Sequence, residues 1–403
     1  MRNLFLGSAQ AEGGARPLVS RLMSGMRHCA LPGAAVLGAA LLTAAPAHAD
    51  YTAYAGNGPV PSVNLELRVD VGFQYLTNVD GPQYNGKSGT TSVLQGAGND
   101  WGTSLYGMSG TSIISPDLSA VYRLEGGFNT ANGQTNGSAL VNRRAYVGLS
   151  NPQLGTLLIG KDLFIDNDIY NIDPMTQQNA STATLVLGRN WQGSSDMIEY
   201  RSPTFGGFKI GAQGASGGNV GSNQTFNEYG VSAQFTLGGL NLYAIGDDIR
   251  DAKGHFSSIY SASREGIFGA TYQFGPVEGF AGYEVLSAPD AKASNPLSTS
   301  YSVYKSIYPT SANQEWIGAD WQVSKPLLLQ AAWFHTNVNK SGGSANLIAG
   351  GATYNLNKYI FVYTSLADLM NHGNADFAAS IYSPPPPPGT SQFVVYSGMG
   401  LSF

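Results

Sequence analysis

The segment Val63 to Tyr75, "VNLELRVDVGFQY", alternates without a break. Val63, Leu65, Leu67, Val69, Val71, Phe73 and Tyr75 fall on one side of an extended chain. Asn64, Glu66, Arg68, Asp70, Gly72 and Gln74 fall on the other. Successive side chains of a strand point to opposite faces, so this stretch predicts one long strand, longer than most in water-soluble domains. The same period returns at Glu228 to Leu237, at Ile267 to Phe274 and at Trp316 to Val323. Helical periodicity is nowhere comparable.

Two architectures can carry such strands. The chain has 52 Gly, 22 Tyr and 17 Phe, yet its mean hydropathy is only −0.10. Beyond the N-terminal region no stretch reaches the roughly 18 to 20 consecutive apolar residues of a membrane helix. A secreted β-rich enzyme fits this composition, and so does a transmembrane β-barrel, whose strands alternate apolar lipid-facing and polar lumenal residues. The connections separate the two. Tight turns are expected at Ser115-Pro116-Asp117, Asn151-Pro152, Pro203 to Gly207, Gly238-Gly239, Gly275-Pro276, Ser324-Lys325-Pro326 and Asn355 to Lys358. Longer polar loops are expected near 77–102, 130–139, 162–188, 213–227, 249–265, 287–314, 338–345 and 368–390. Short turns alternating with long loops join sixteen strands, an even number with both termini on the short-turn side. The predicted fold is therefore all-β, a 16-stranded antiparallel transmembrane barrel. The final "FVVYSGMGLSF" supports closure: Phe393, Val395, Met399, Leu401 and the terminal Phe403 share a face, and pairing the last strand with the first removes an apolar edge. Pro384 to Pro388 cannot enter a sheet and belongs in the last outer loop.

The N-terminal region reads as an export signal. Arg16, Arg21 and Arg27 precede the apolar run Ala34 to Ala45, and Ala47-His48-Ala49 is a small-x-small cleavage site. Residues 1–49 are thus expected to be a cleaved signal peptide and 50–403 the barrel domain. The single Cys29 falls in the leader, so disulfides play no part in the mature chain. Removing Arg2, Arg16, Arg21, Arg27 and Glu12 from 21 basic and 26 acidic residues leaves 17 and 25, a net charge of −8. That balance excludes nucleic acid as a partner.

With these features in place, the chain resembles the Gram-negative general porin family of trimeric, 16-stranded diffusion channels. "RLEGGF" (Arg123 to Phe128), "NRRAYVGLSNPQLGTLLIGK" (Asn142 to Lys161), "IEYRSPTFGGFKIGAQ" (Ile198 to Gln213) and "GATYNLNKYIFVYTSLA" (Gly351 to Ala367) carry the resemblance, in family order. The resemblance implies that the third long loop, 162–188, bends into the barrel and narrows the pore. On that loop stand Asp162, Asp166, Asp168 and Asp173, with Glu125 from the third strand as a further acid. It also implies a basic wall opposite: Arg68 on the first strand, Arg123 on the third, Arg143 on the fourth and Arg189 near the sixth, with Lys161 at the base of the loop. Alternation alone places Arg68, Arg123 and Glu125 inside. Between Arg143 and Arg144 it is ambiguous, and only the resemblance favours Arg143. "TSLYGMSG" (Thr103 to Gly110) has Ser104 where the family often has arginine.

Other chemistries fit "KDLFIDNDIYNIDP" (Lys161 to Pro174) less well. A calcium loop requires glycine at its sixth position and a glutamate at its twelfth, where Asn171 and Gln177 stand. No nucleophile or base stands at recognisable spacing for acid–base catalysis. His255, His335 and His372 read as surface-loop residues, and no G-x-S-x-G context accompanies them. Strand-end Tyr and Phe read as interfacial girdles. The expectation is a non-enzymatic channel in the outer membrane, without cofactor or metal, contacting outer-membrane lipid, assembled as a homotrimer and passing small hydrophilic solutes and ions. Asp168 and Asp173 are expected to face the water path, with Asp162 and Asp166 also placed to hold the loop to the wall. A substrate-specific channel and an adhesin or receptor barrel acting through its outer loops are the alternatives.

Overall fold

The computed structural model describes residues 51–80, 90–137, 139–176, 178–216, 227–292, 308–381 and 383–403. The expected leader, Cys29, Gln177 and parts of the loops at 77–102, 213–227, 287–314 and 368–390 lie outside the described residues.

The strands follow the alternating segments. They are β1 (Tyr51–Tyr54), β2 (Val63–Asp80), β3 (Thr90–Gly98), β4 (Ser104–Ser115), β5 (Leu118–Phe128), β6 (Arg144–Asn151), β7 (Gly155–Leu163), β8 (Gly193–Arg201) and β9 (Phe208–Ala215). The second half continues with β10 (Glu228–Leu237), β11 (Leu240–Ile249), β12 (Arg264–Phe274), β13 (Val277–Ser287), β14 (Ser311–Ser324), β15 (Leu327–Val338), β16 (Gly343–Asn355), β17 (Ile360–His372) and β18 (Gln392–Ser402). β3 and β4 both pair with β2 and form one barrel strand broken at 99–103. The short β1 pairs only with the start of β2. The remaining neighbours pair antiparallel in sequence order, which gives a barrel of sixteen strands. β18 closes it against β2, and Phe403 exchanges both backbone hydrogen bonds with Leu67, at 2.8 and 2.9 Å.

All seven expected tight turns join consecutive strands. The long connections differ more. β2 and β3 extend far into 77–102, and 338–345 shrinks to the four residues between β15 and β16. The loop expected at 130–139 runs from 129 to 143, so Arg143 precedes its strand rather than lying on it.

The core is inverted. Phe73, Leu94, Leu237 and Phe274 are 66–75% exposed on the outside, a surface that a membrane solvates and water does not. On β14, Ile317 and Trp321 face out while Trp316 is buried inside. No helix is long and apolar enough to cross a membrane among the described residues. The apolar cluster lies within the lumen, where the third long loop and the last loop pack on the inner wall: Ile169, Ile172, Met175 and Leu185 meet Phe334, Leu347, Phe377 and Tyr396.

Candidate functional site

The third long loop leaves the wall after β7 and returns at β8. Its first part, Ile165–Ile172, is a 3₁₀ helix with Ile165, Asp166, Ile169 and Ile172 buried. Irregular backbone at membrane depth must be buried in protein or line a water-filled cavity, and where the loop turns to the wall lumenal side chains satisfy it. Trp316 Nε1 donates to the Ile172 carbonyl at 2.8 Å, Gln330 Nε2 to the Pro174 carbonyl at 2.9 Å, and Gln314 Nε2 to the Thr182 carbonyl at 2.8 Å. The Ile165 amide donates to Gln213 Oε1 at 2.8 Å. Two lumenal glycines admit the loop. A Cβ on Gly269 would sit 2.5 Å from Ile172 Cδ1, and one on Gly318 would sit 2.4 Å from Pro174 Cβ. A side chain at Gly318 would have to displace Pro174, whereas one at Gly269 would have to turn the end of Ile172 aside.

The opposite wall carries the guanidinium groups. Glu125 on β5 receives three of them: Arg123 Nη2 at 2.9 Å, Arg143 Nε at 2.6 Å and Arg144 Nη1 at 2.7 Å. Arg123 also pairs with Glu66, and Arg144 Nε reaches Asp162 Oδ1 at 2.8 Å. Arg201 on β8 bridges Glu199 and Asp168. Arg68 stands apart. Its Nε donates to the Thr103 carbonyl at 2.6 Å, its guanidinium lies beside Gly102, and it forms no ion pair among the described residues. Between wall and loop lies a cavity of about 650 Å³, lined by these arginines, by Asp162 and Asp168, and by Tyr170, Leu187 and Ile381. The acids are the more hidden partners: the Glu125 and Glu199 side chains are 0% and 3% exposed, those of Arg123, Arg143, Arg144 and Arg201 22–28%.

Placement of the expected residues is mixed. Arg68, Arg123, Arg143, Glu125, Asp162 and Asp168 come together around the cavity. Lys161 sits at the loop base, its Nζ donating to Ser195 Oγ at 2.9 Å. Three expectations require correction. Asp173 is fully buried inside the loop, accepting from Met175 N at 2.9 Å and from Thr182 N and Oγ1 at 3.2 and 2.8 Å. A carboxylate turned onto its own loop cannot face the water path. Arg189 and Asp166 are likewise 0% exposed, behind the loop rather than in the pore. Arg189 Nη1 contacts Asp166 Oδ2 at 3.0 Å and Glu265 Oε2 at 3.3 Å, its Nη2 pairs with Asp247, and its Nε donates to Ser263 Oγ at 2.9 Å. Burial, followed by Asp247 and Glu265, holds the Asp166 carboxyl well above the usual range, with Arg189 opposing.

Of three further contributors, Arg144 is left open against Arg143 by alternation, and two escape sequence reasoning. Arg144 joins Arg143 at the lumen because β6 begins at Arg144, so strict alternation does not apply across the pair. Arg201 had a legible signal: Ile198 and Tyr200 face out, which turns Glu199 and Arg201 inward by period two. Ile381 had none, since its loop folds inward only through tertiary contacts.

Comparison with known proteins agrees with this architecture. Residues 33–374 match the family model for Gram-negative porins. An outer membrane porin protein of Bordetella pertussis is 27% identical over 163 residues, covering 37% of this chain and 41% of that protein, so the alignment spans less than half of the relative. Among solved structures, an anion-selective porin from Comamonas acidovorans superposes with a TM-score of 0.68 at 21% identity, covering 85% of this chain and all of that one. Salmonella typhi OmpF, solved with daunomycin, gives 0.59 at 18% identity, covering 85% and 98%. Such low identities speak to fold alone. The family match covers most of the sequence, and the chain belongs to the Gram-negative porins.

Proposed function

We propose that this outer-membrane barrel is a passive diffusion channel for small hydrophilic solutes and ions, that it favours anions, and that it assembles as a homotrimer. The carrying observation is the distribution of charge around the cavity. Glu66, Glu125 and Glu199 are nearly buried and covered by arginines, whereas those arginines and Arg68 retain exposed surface. A passing solute therefore meets mainly positive charge, and facing charges inside a narrow lumen are screened less than exposed ones. Polar solutes exchange hydrogen bonds with such walls, while apolar ones must displace water held there. Anion preference is the property named for the Comamonas acidovorans porin.

Planar-bilayer recording tests this reading. A stable conductance with a reversal potential displaced toward chloride in a potassium chloride gradient is expected. A cation-directed reversal potential would remove the anion preference. Failure of reconstituted liposomes to pass small sugars would favour a closed barrel acting through its outer loops, for which the inward-folded last loop is the structural argument. Subunit number is measured independently by mass of the detergent complex.

A further inference from the structure

Arg68 has a carboxylate nearby that it does not pair with. Asp70, two residues along β2 and also turned inward, directs its Oδ2 to the Trp101 and Gly102 amides at 2.8 and 3.1 Å. Arg68 Nε is fixed on the Thr103 carbonyl, and its two Nη groups form no hydrogen bond among the described residues. Arg143 Nη1 approaches the Thr103 hydroxyl at 3.5 Å, so a second guanidinium stands beside the first. Another part of the same cavity is apolar. Leu187 and Ile381 line it, and neither is fully buried. Leu187 holds a left-handed φ of 53°, followed by Gly188 at 74°. Glycine or asparagine is the usual residue where a helical turn ends in this way. A leucine persists there only where the surroundings hold it. Ile381 arrives from the last loop and rests over Gly188, where an added Cβ would lie 3.3 Å from Ile381 Cδ1. Two separate loops thus bring one apolar lip to a cavity that also holds Arg68.

We propose that this part of the cavity binds aryl carboxylates, with the carboxylate on Arg68 and Arg143 and the ring against Leu187 and Ile381. The inference rests on the channel reading and adds a class of solute to it. A guanidinium meets a carboxylate through two parallel donors, and the two Nη groups of Arg68 are placed for such an end-on contact. Chloride or acetate uses only this half of the site. An aromatic ring also removes the Leu187 and Ile381 side chains from water, and the exposed Tyr170 ring lines the same space. A weak site of this kind gathers the solute in the pore without trapping it.

The test is current blockade of the full-chain channel in planar bilayers in potassium chloride, with benzoate, acetate and benzamide added in turn. Benzoate is expected to halve the open current at about tenfold lower concentration than acetate, which lacks the ring, or benzamide, which lacks the charge. Arg68→Gln is expected to remove the advantage over benzamide, and Arg68→Lys to restore part of it. Leu187→Asn with Ile381→Ser is expected to remove the advantage over acetate. Asparagine tolerates the left-handed backbone, so the ring's partners are lost without added strain. Equal blockade by the three probes in the parent, or an undiminished advantage in either the glutamine or the double variant, would overturn the proposal. An open, anion-directed parent channel with equal blockade sinks this inference alone, whereas a parent without conductance sinks the channel reading with it.

Discussion

Asp168 and Asp173 sit on one loop, yet their surroundings give them opposite roles. Asp168 pairs with Arg201 at the edge of the cavity. Removing its charge in Asp168→Asn leaves Arg201 facing the solute path and should move the reversal potential further toward anions, with the barrel intact. Exposed pairs contribute only about 0–1 kcal/mol, so thermal stability should scarcely change. Asp173→Ala is different. It strands the Met175 amide and the Thr182 amide and hydroxyl in a buried loop, and each orphaned donor costs about 1–3 kcal/mol. Faster protease cleavage of the loop is the expected readout, and an uncut loop would count against it. Arg68→Gln removes a cation that has no ion-pair partner among the described residues and should reduce anion preference, though less than Arg123→Gln, which also takes one guanidinium away from Glu66 and Glu125. The inward face of each strand was legible from alternation. Depth was not: four aspartates in one polar stretch look alike until the loop's own fold turns Asp173 inward and Asp166 behind.

Besides its hydrogen bonds to the lumenal wall, the third loop is held as an element by one buried ionic cluster. Arg189 faces Asp166, Asp247 and Glu265, all of them shielded from water. Replacing it by glutamine leaves three carboxyls together in low dielectric, a loss of about 3–5 kcal/mol when a buried pair is broken. The cluster also sets a pH dependence. Asp166 has its folded value raised, by burial first and then by Asp247 and Glu265. A raised acid contributes stability that is fully present below its ordinary value of about 4 and lost as pH rises through the folded one. Anchoring of the Ile165–Ile172 helix should therefore weaken on the alkaline side. Amide exchange of this helix, corrected for intrinsic rates, should be faster at alkaline than at acid pH, and the difference should shrink in Asp166→Asn. Equal protection at both would sink the idea. The sequence places this loop third and after Lys161 through its strand count, but Arg189 lies far along the chain from Asp247 and Glu265. No local period reports which of them will meet, so a lumenal ladder and a buried latch read the same until the wall curves.

At the scale of the molecule the barrel is turned inside out, and its inner surface must still be filled or wetted. Sequence alternation reported the outside faithfully, because lipid contact demands apolar residues at every second position. It reported much less of the lumen, where polar residues serve equally as wet wall or as latch. The last loop shows the consequence. The segment 368–390 reads as an outer loop, yet Ala375, Phe377, Ala378, Ala379 and Ser380 are at most 1% exposed. Asn371 Nδ2 donates to the Phe377 carbonyl at 2.9 Å, and the Phe377 amide returns a bond to Asn371 Oδ1 at 3.1 Å. The Ala379 amide donates to Gln392 Oε1 at 2.9 Å, and the Phe377 ring meets Tyr260 edge-on at 6.4 Å. The proline run braces this fold from behind: the Pro384 carbonyl accepts from Gln392 Nε2 at 3.0 Å and the Pro385 carbonyl from the Asp80 amide at 3.3 Å. Ile381 then reaches the cavity beside Leu187, so two loops, not one, bound the water path. Replacing Asp376 to Ile381 by a short Gly/Ser link leaves every strand pairing untouched, because β17 ends at His372 and β18 begins at Gln392. Single-channel conductance should rise and larger sugars should enter liposomes, while loss of the buried Phe377 should lower the unfolding temperature about as much as Arg189→Gln. A solvated outer loop would give no such change, so unaltered conductance in the deletion would return this segment to the surface and leave the third loop as the sole constriction.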